Sequence, residues 1–407
     1  MLLLLLPMLL QDTLRLDATA ALSRALERAP VIAAANARLR ASSAAGRDAA
    51  RLRNLQLGIA AENLGMQREV TGKDGLAGTE GQVTLQAVLP LGGDLGAARR
   101  GALAETDLVR LDGAVAVVEL QGALIAAIAA HQRQHALLEA ASSEAEGLDR
   151  FAAAVSARAA EGRASAGEAA RVRTEAVMVA SQLARRRAEV SAADARLAAA
   201  LGYPADTPLR ISAPPACLAA VPGEPLDLQR AVARRTLAEA MASQASARRI
   251  PDLIPQVGFR RTAGFSGVLV GVAFDLPLFS SGGAALDAAR AEVEATTAEV
   301  TLMERDQAAA IVAGRRTLAE LAAVGVRYGA GWDRDLTLAV TAAEARWQEG
   351  QGTLAELFDA RRARLAALME YTEWRERVLL GRLALARTLG TAPTASLLLD
   401  DCPGAPR

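Results

Sequence analysis

The 407-residue chain is predicted to be mainly α-helical with a small β part, built as two copies of one plan. Three observations predict this. The stretch ARAAEGRASAGEAARVR from Ala157 returns as ARWQEGQGTLAELFDAR from Ala345, at an offset of 188 residues. That alignment runs without a gap from Ala157–Gly202 onto Ala345–Gly390, with 12 of 46 pairs identical. The identities include Glu161/Glu349, Gly162/Gly350, Glu168/Glu356, Arg173/Arg361 and Leu201-Gly202/Leu389-Gly390. Self-similarity at a fixed period marks a repeat architecture. Next, apolar residues recur at 3,4 spacing through long stretches without proline. Last, the chain is 52% hydrophobic but only 3% aromatic, so alanine fills the interior, which suits long helices packed side by side.

In chain order, Asp17 to about Arg53 reads as a helix, with Asp17 and Thr19 near its start and Leu22 and Leu26 on one face. From Leu55 to Glu62 the period changes to two, with Leu55, Leu57, Ile59 and Ala61 alternating against Gln56, Gly58, Ala60 and Glu62. After a Gly-rich stretch the alternation resumes over Gln82–Leu89, giving a hairpin with a long loop. Pro90 and Gly92-Gly93 end it. Asp94 to about Ala160 then carries a heptad through Leu108, Leu111, Val115, Val118, Gly122, Ile125 and Ala129. At 1.5 Å per residue this helix is about 100 Å long. Glu161–Gly167 breaks it, and a second helix returns from about Glu168 to Leu201. Gly202-Tyr203-Pro204 stops that helix, and Pro204–Pro225 reads as irregular.

The plan then restarts. Leu226–Arg249 is a helix, and Pro255–Arg261 and Val268–Leu276 are paired strands. One long helix is expected from Gly282-Gly283 to about Gln348, then a break at Glu349–Gly352 and a helix to Leu389. The predicted divisions are a leader (1–11), a first repeat (12–202) with strands about 55–62 and 82–89 and a tip about 161–168, and an inter-repeat segment (203–225). A second repeat (226–390) has strands about 255–261 and 268–276 and a tip about 349–356, and a tail (391–407) follows. In each copy the helix before the hairpin and the return helix together match the outgoing one. Each copy is therefore expected to be two antiparallel layers with the hairpin at one end and the Glu-Gly turn at the other.

Several functions are disfavoured. Net charge is zero and no basic block exists, so nucleic-acid binding is not expected. With two histidines in all and no G-x-S-x-G there is no nucleophile–base set, and an enzyme is not expected. The Gly65–Gly81 stretch lacks a following G-K-[ST], so no phosphate-binding loop or cofactor is predicted. His131 and His135 stand i, i+4, a spacing that can bind a metal, but no third ligand is visible and no metal site is expected. Trp347 and Trp374 read as packing anchors. Cys217 and Cys402 fall 15 and 12 residues after their Leu-Gly stops. Free thiols are the simpler reading, and a disulfide is open to them in an oxidising compartment. MLLLLLPMLL reads as a signal sequence shortened at its start, or else as a frayed apolar terminus. No other run reaches membrane-spanning helical length without charges.

The strands place small apolar residues on one face and Gln, Thr and Gly on the other, as a membrane strand does between lipid and water. Four strands cannot close a barrel, and open edges are not tolerated in a bilayer. Pooled hairpins solve both problems. Three chains would make a 12-stranded barrel continued by a helical tunnel.

At this point the sequence resembles the TolC-type outer-membrane efflux proteins, in the CzcC/CusC branch that serves heavy-metal and drug export. The likeness rests on Ala61-Glu62-Asn63-Leu64-Gly65, Leu89-Pro90-Leu91-Gly92-Gly93 with Arg99, Pro251-Asp252-Leu253, Leu276-Pro277-Leu278-Phe279 and Ala289-Arg290-Ala291-Glu292, with the doubled Glu-Gly tips. It implies a homotrimeric exit duct in outer-membrane lipid with a periplasmic helical portion. Its implied partners are a periplasmic membrane-fusion adaptor and an inner-membrane pump of the resistance-nodulation-division type. It implies adaptor docking at Gly162, Arg163, Gly350 and Gln351, and a constriction at Glu168, Glu356 and Asp359. Three copies of each acid would form rings of negative charge. The alternative for these acids is ordinary helix N-terminal placement favoured by the dipole. Two other functions stay open: a periplasmic coiled-coil scaffold, and the same duct serving type I protein secretion.

Overall fold

The computed structural model describes residues 14–49, 51–62, 80–212, 223–262, 265–279, 281–329, 331–394 and 397. The leader, most of the Gly-rich loop and both cysteines lie outside them. The chain forms two compact units, and each draws on both sequence repeats. One comprises Ala33–Ala114 and Leu226–Arg305; the other comprises Met1–Ile32, Val115–Pro225 and Asp306–Arg407.

The first of these units is organised by a four-stranded antiparallel sheet, β2 (Gln56–Glu62), β3 (Glu80–Gln86), β5 (Leu253–Thr262) and β6 (Phe265–Phe274), in that order. The two hairpins predicted separately are thus joined through β3 and β5. Register aligns Leu57, Leu85, Val257 and Val270 in one row across the sheet, and Ile59, Val83, Phe259 and Val268 in another. Side chains alternate along a strand, so these rows share a face. The other face carries rows such as Gln56, Gln86, Gln256 and Gly271. The apolar rows are uncovered: Ile59 is 76% exposed and Val270 79%.

Three helices of this unit pack on one another through small and polar groups. They are α2 (Pro30–Ala49), the part of α3 (Asp94–Ala160) up to Ala114, and α5 (Leu226–Ala247). Ser42 and Thr106 hydroxyls meet at 3.0 Å, Arg100 donates to Ser243 at 2.9 Å, and Arg230 pairs with Asp112 at 2.7 Å. A Cβ on Gly46 would lie 3.3 Å from that of Ala102, so small residues set the separation. The fourth helix here is the start of α6 (Gly283–Gly325), where Leu286 and Val300 are buried.

The other unit holds the rest of α3 and α6, with α1 (Ala18–Arg28), α4 (Ala166–Ala200), α7 (Trp332–Gln348) and α8 (Leu354–Thr388). Its core is built from alanine and leucine: Ala18, Ala21, Leu124, Ile128, Leu197 and Leu201 are among the buried residues of one cluster. An 18-residue window of α3 has a mean hydropathy of 1.9, enough by length and composition to cross a membrane, and 22% of it is buried.

Three expectations need correction. The single helix from Asp17 is two helices preceded by a strand. β1 (Leu14–Asp17) runs into α1, and Ala29 is extended before α2 starts at Pro30. Proline disfavours a helical residue before it and has no N–H to give. The irregular segment after Pro204 contains β4 (Leu209–Ser212), which pairs in parallel with β1. Two four-residue strands so far apart leave no local periodicity to read. The long second-copy helix is also interrupted: α6 ends at Gly325, a 3-10 turn covers Val326–Tyr328, and α7 begins at Trp332. Glycines at 325, 329 and 331 weaken the helix here, whereas Leu137, Ala141 and Ser143 stand 188 residues earlier in unbroken α3. The Trp374 indole occupies the notch; a Cβ on Gly325 would sit 2.6 Å from it. Its N–H donates to Leu321 O at 2.9 Å, and its ring packs with Tyr328 and Tyr371.

Candidate functional site

The two Glu-Gly turns are constructed alike. In the first, Arg163 N–H returns to Arg158 O at 2.8 Å and Gly162 N–H to Ala159 O at 3.1 Å. In the second, Gln351 N–H returns to Arg346 O at 2.8 Å and Gly350 N–H to Trp347 O at 3.0 Å. This is the 6→1 and 5→2 closure of a helix end, which needs a left-handed residue. Gly162 and Gly350 supply it, with φ of +73° and +75°. No atom lies within 4 Å of where a Cβ would stand on either, so conformation and not space demands glycine.

Each turn then starts its return helix with a hydroxyl cap. Ser165 Oγ accepts from Glu168 N at 3.1 Å, and Thr353 Oγ1 accepts from Glu356 N at 3.2 Å. At the first turn the box is reciprocal, because Ser165 N–H donates to Glu168 Oε2 at 2.8 Å. That bond, with the one Ser165 makes through its side chain, holds the Glu168 carboxyl below its ordinary value. A lowered acid stabilises the fold above its unfolded pKa and loses that contribution as pH falls through its folded one. Ser165→Ala is expected to lower stability by about 1 kcal/mol at neutral pH. In thermal melts the difference should shrink as the pH drops below the carboxylate range.

The other predicted site residues are at the surface. Glu356 lies 3.7 Å from Arg346, Asp359 lies 3.9 Å from Arg362, and Arg163 lies 3.3 Å from Glu161. Gly162, Gly350 and Gln351 are exposed. Beneath the turns is a shared core of Leu148, Phe151, Val155, Ala169, Val172, Val340, Leu354, Leu357 and Phe358. Trp347 joins it edge-on to Phe151 at 4.8 Å. The two turns are therefore held side by side, with the predicted docking residues of both facing solvent.

The repeat pair Arg173/Arg361 has diverged in role. Arg173 is exposed, whereas Arg361 is buried and bonds Glu144 at 2.9 Å and Glu344 at 3.4 Å. Sequence reasoning missed this pairing, for Glu144 is 217 residues away. Arg362 meanwhile clasps Glu175 with two nitrogens, at 3.1 and 2.7 Å.

Similarity to known folds agrees with this geometry. The outer-membrane protein VceC of Vibrio cholerae superposes with a TM-score of 0.75 at 22% identity, over 92% of this chain and 96% of that one. CusC gives 0.73 at 16% identity over 93% of each chain. The CmeC outer-membrane channel of Campylobacter jejuni gives 0.75 at 12% identity, over 95% and 87%. The chain has the fold of the TolC-type outer-membrane channels. No family model and no curated protein matches it in sequence.

Proposed function

We propose that this chain is the outer-membrane exit duct of a tripartite efflux system. It conducts substrates passively, heavy-metal cations or drugs, from an inner-membrane pump and a periplasmic adaptor to the outside. The observation that carries the reading is the β2–β3–β5–β6 sheet. Its apolar face is uncovered, its opposite face is polar, and β2 and β6 are open edges among the described residues. β5 and β6 are 10 residues each, within the range of about 9–11 for a tilted membrane strand. In water such a sheet invites aggregation. In a bilayer, joined edge to edge with two copies of itself, every edge is paired and the apolar rows face lipid. The sparsely buried apolar window of α3 supports the same homotrimer, since neighbouring subunits would cover it.

The exposed turns suit an adaptor. Gly162, Arg163, Gly350 and Gln351 are all exposed at the turns, and Glu168, Glu356 and Asp359 follow in the first two turns of the return helices. Three copies of each acid around an axis attract cations and repel one another, so closing the tip requires contacts that offset this repulsion. Adaptor binding can then shift the balance towards the open form.

The duct is tested by fractionation and conductance. A detergent-solubilised trimer from the outer membrane that forms pores in planar bilayers supports it. A monomer in the soluble periplasm would instead mean a coiled-coil scaffold. Gating is tested by Glu168→Gln, Glu356→Gln and Asp359→Asn together. Glutamine still serves the capping box, so the charge changes while the turn is kept. Open-pore conductance or leakage should rise; unchanged single-channel behaviour removes the gating role.

A further inference from the structure

His131 is 3% exposed, and neither of its ring nitrogens makes a hydrogen bond. Orphaned polar atoms at such depth are uncommon and call for a partner. His135 stands one turn further along α3, its ring centroid 4.4 Å away. Between them comes Asp194 of the return helix α4. One carboxylate oxygen, Asp194 Oδ1, is hydrogen-bonded to His135 Nε2 at 2.9 Å and lies 3.0 Å from His131 Nε2. The 3.0 Å separation is short enough for a hydrogen bond to His131, so it is the direction that fails. Two nitrogens and one oxygen crowded together, without a bond along the ring axis of His131, is how ligands of a common ion are disposed.

We infer that His131 Nε2, His135 Nε2 and Asp194 Oδ1 form a binding site for a divalent transition-metal ion, with copper(II) favoured. One ligand atom from each of His131, His135 and Asp194 lies within 4.8 Å of the others. With metal–ligand bonds of about 2.0–2.1 Å, ligands at a right angle are about 2.9 Å apart and at the tetrahedral angle about 3.3 Å. The 2.9 and 3.0 Å separations are those of ligands near a right angle, and an ion bound there would replace the hydrogen bond between His135 and Asp194. Right-angled nitrogen and oxygen donors suit copper(II) or nickel(II), and affinity for such sites peaks at copper. His135 and Asp194 side chains are 28% and 29% exposed, which leaves the ion a path in and room for water as further ligands. The ion would staple α3 to α4. This site is separate from the duct reading and does not depend on what the duct carries.

The test uses full-length protein in detergent, without a polyhistidine tag and stripped with chelator. Equilibrium dialysis against copper(II), nickel(II) and zinc(II) salts should find one copper per chain, with nickel and zinc weaker. The bound copper should show nitrogen hyperfine structure in its electron paramagnetic resonance spectrum. Its addition should raise the melting temperature in a concentration-dependent way. His135→Gln and Asp194→Asn keep size at partly exposed positions, and each should weaken copper binding at least tenfold. The inference is overturned if no stoichiometric copper binds. It is equally overturned if either folded variant binds copper as tightly as the parent protein.

Discussion

Val270→Arg is expected, on the proposed duct function, to abolish assembly into the outer membrane. Val270 is near the middle of the edge strand β6 and ends the apolar row Leu57, Leu85, Val257, Val270. An arginine facing lipid near the bilayer centre costs about 2–4 kcal/mol per strand. With three symmetric copies the total is about 6–12 kcal/mol, comparable to the whole stability of an ordinary domain. Gln256→Arg changes the strand neighbour of Val257 but places the charge on the opposite face, and this variant should still assemble. Outer-membrane fractionation and gel mobility of the unheated trimer measure both. Equal behaviour of the two variants would mean that the faces of the sheet are assigned wrongly.

Arg361→Ala is expected to be the most damaging single change beneath the turns. Removing one partner of a buried pair strands the other charges and costs about 3–5 kcal/mol. The Glu144 side chain, only 11% exposed, would be left uncompensated, while Glu344 at 32% can turn to water, which favours the lower end of that range. Adding Glu144→Gln to Arg361→Ala should recover part of the loss, because the stranded charge is gone. Arg173→Ala, at the equivalent place in the first copy, should change stability by less than about 0.5 kcal/mol. Thermal melts of the four proteins form the comparison, and a similar loss for the two arginine variants would contradict the assignment.

Those two arginines show where sequence reading stops. Both follow an identical Glu-Gly turn, and their identity across the repeat is plain in the sequence. Only packing made one an exposed arginine and the other the centre of an ion network. His131 and His135 have a similar history. Their i, i+4 spacing is legible, but Asp194 is 59 residues from His135 and reaches it only because α4 folds back along α3. No local pattern announces that meeting. Glu168 differs again: the Ser165-x-x-Glu168 spacing is in the sequence, and the hydrogen bonds that make it a capping box came with the structure. Whether that carboxylate also constricts a pore is a question about three chains.

What the sequence determined by itself is what depends on periodicity and on residues with special backbone needs. The helix Asp94–Ala160 and the return helices after each Glu-Gly break follow from heptads and glycine stops, while the hydroxyl caps that start the latter at Ala166 and Leu354 came with the structure. Strand faces follow from alternation, and both turns follow from a glycine that tolerates positive φ. These are short-range effects, complete within a few residues. Tertiary structure alone decided the parallel pairing of β1 with β4, the joining of the two hairpins through β3 and β5, and the notch that Trp374 fills beside Gly325. It also chose which Arg is buried and brought Asp194 to the two histidines. Each of these joins residues far apart in the chain, and the energy that selects them is packing and charge pairing, which no local window of sequence contains.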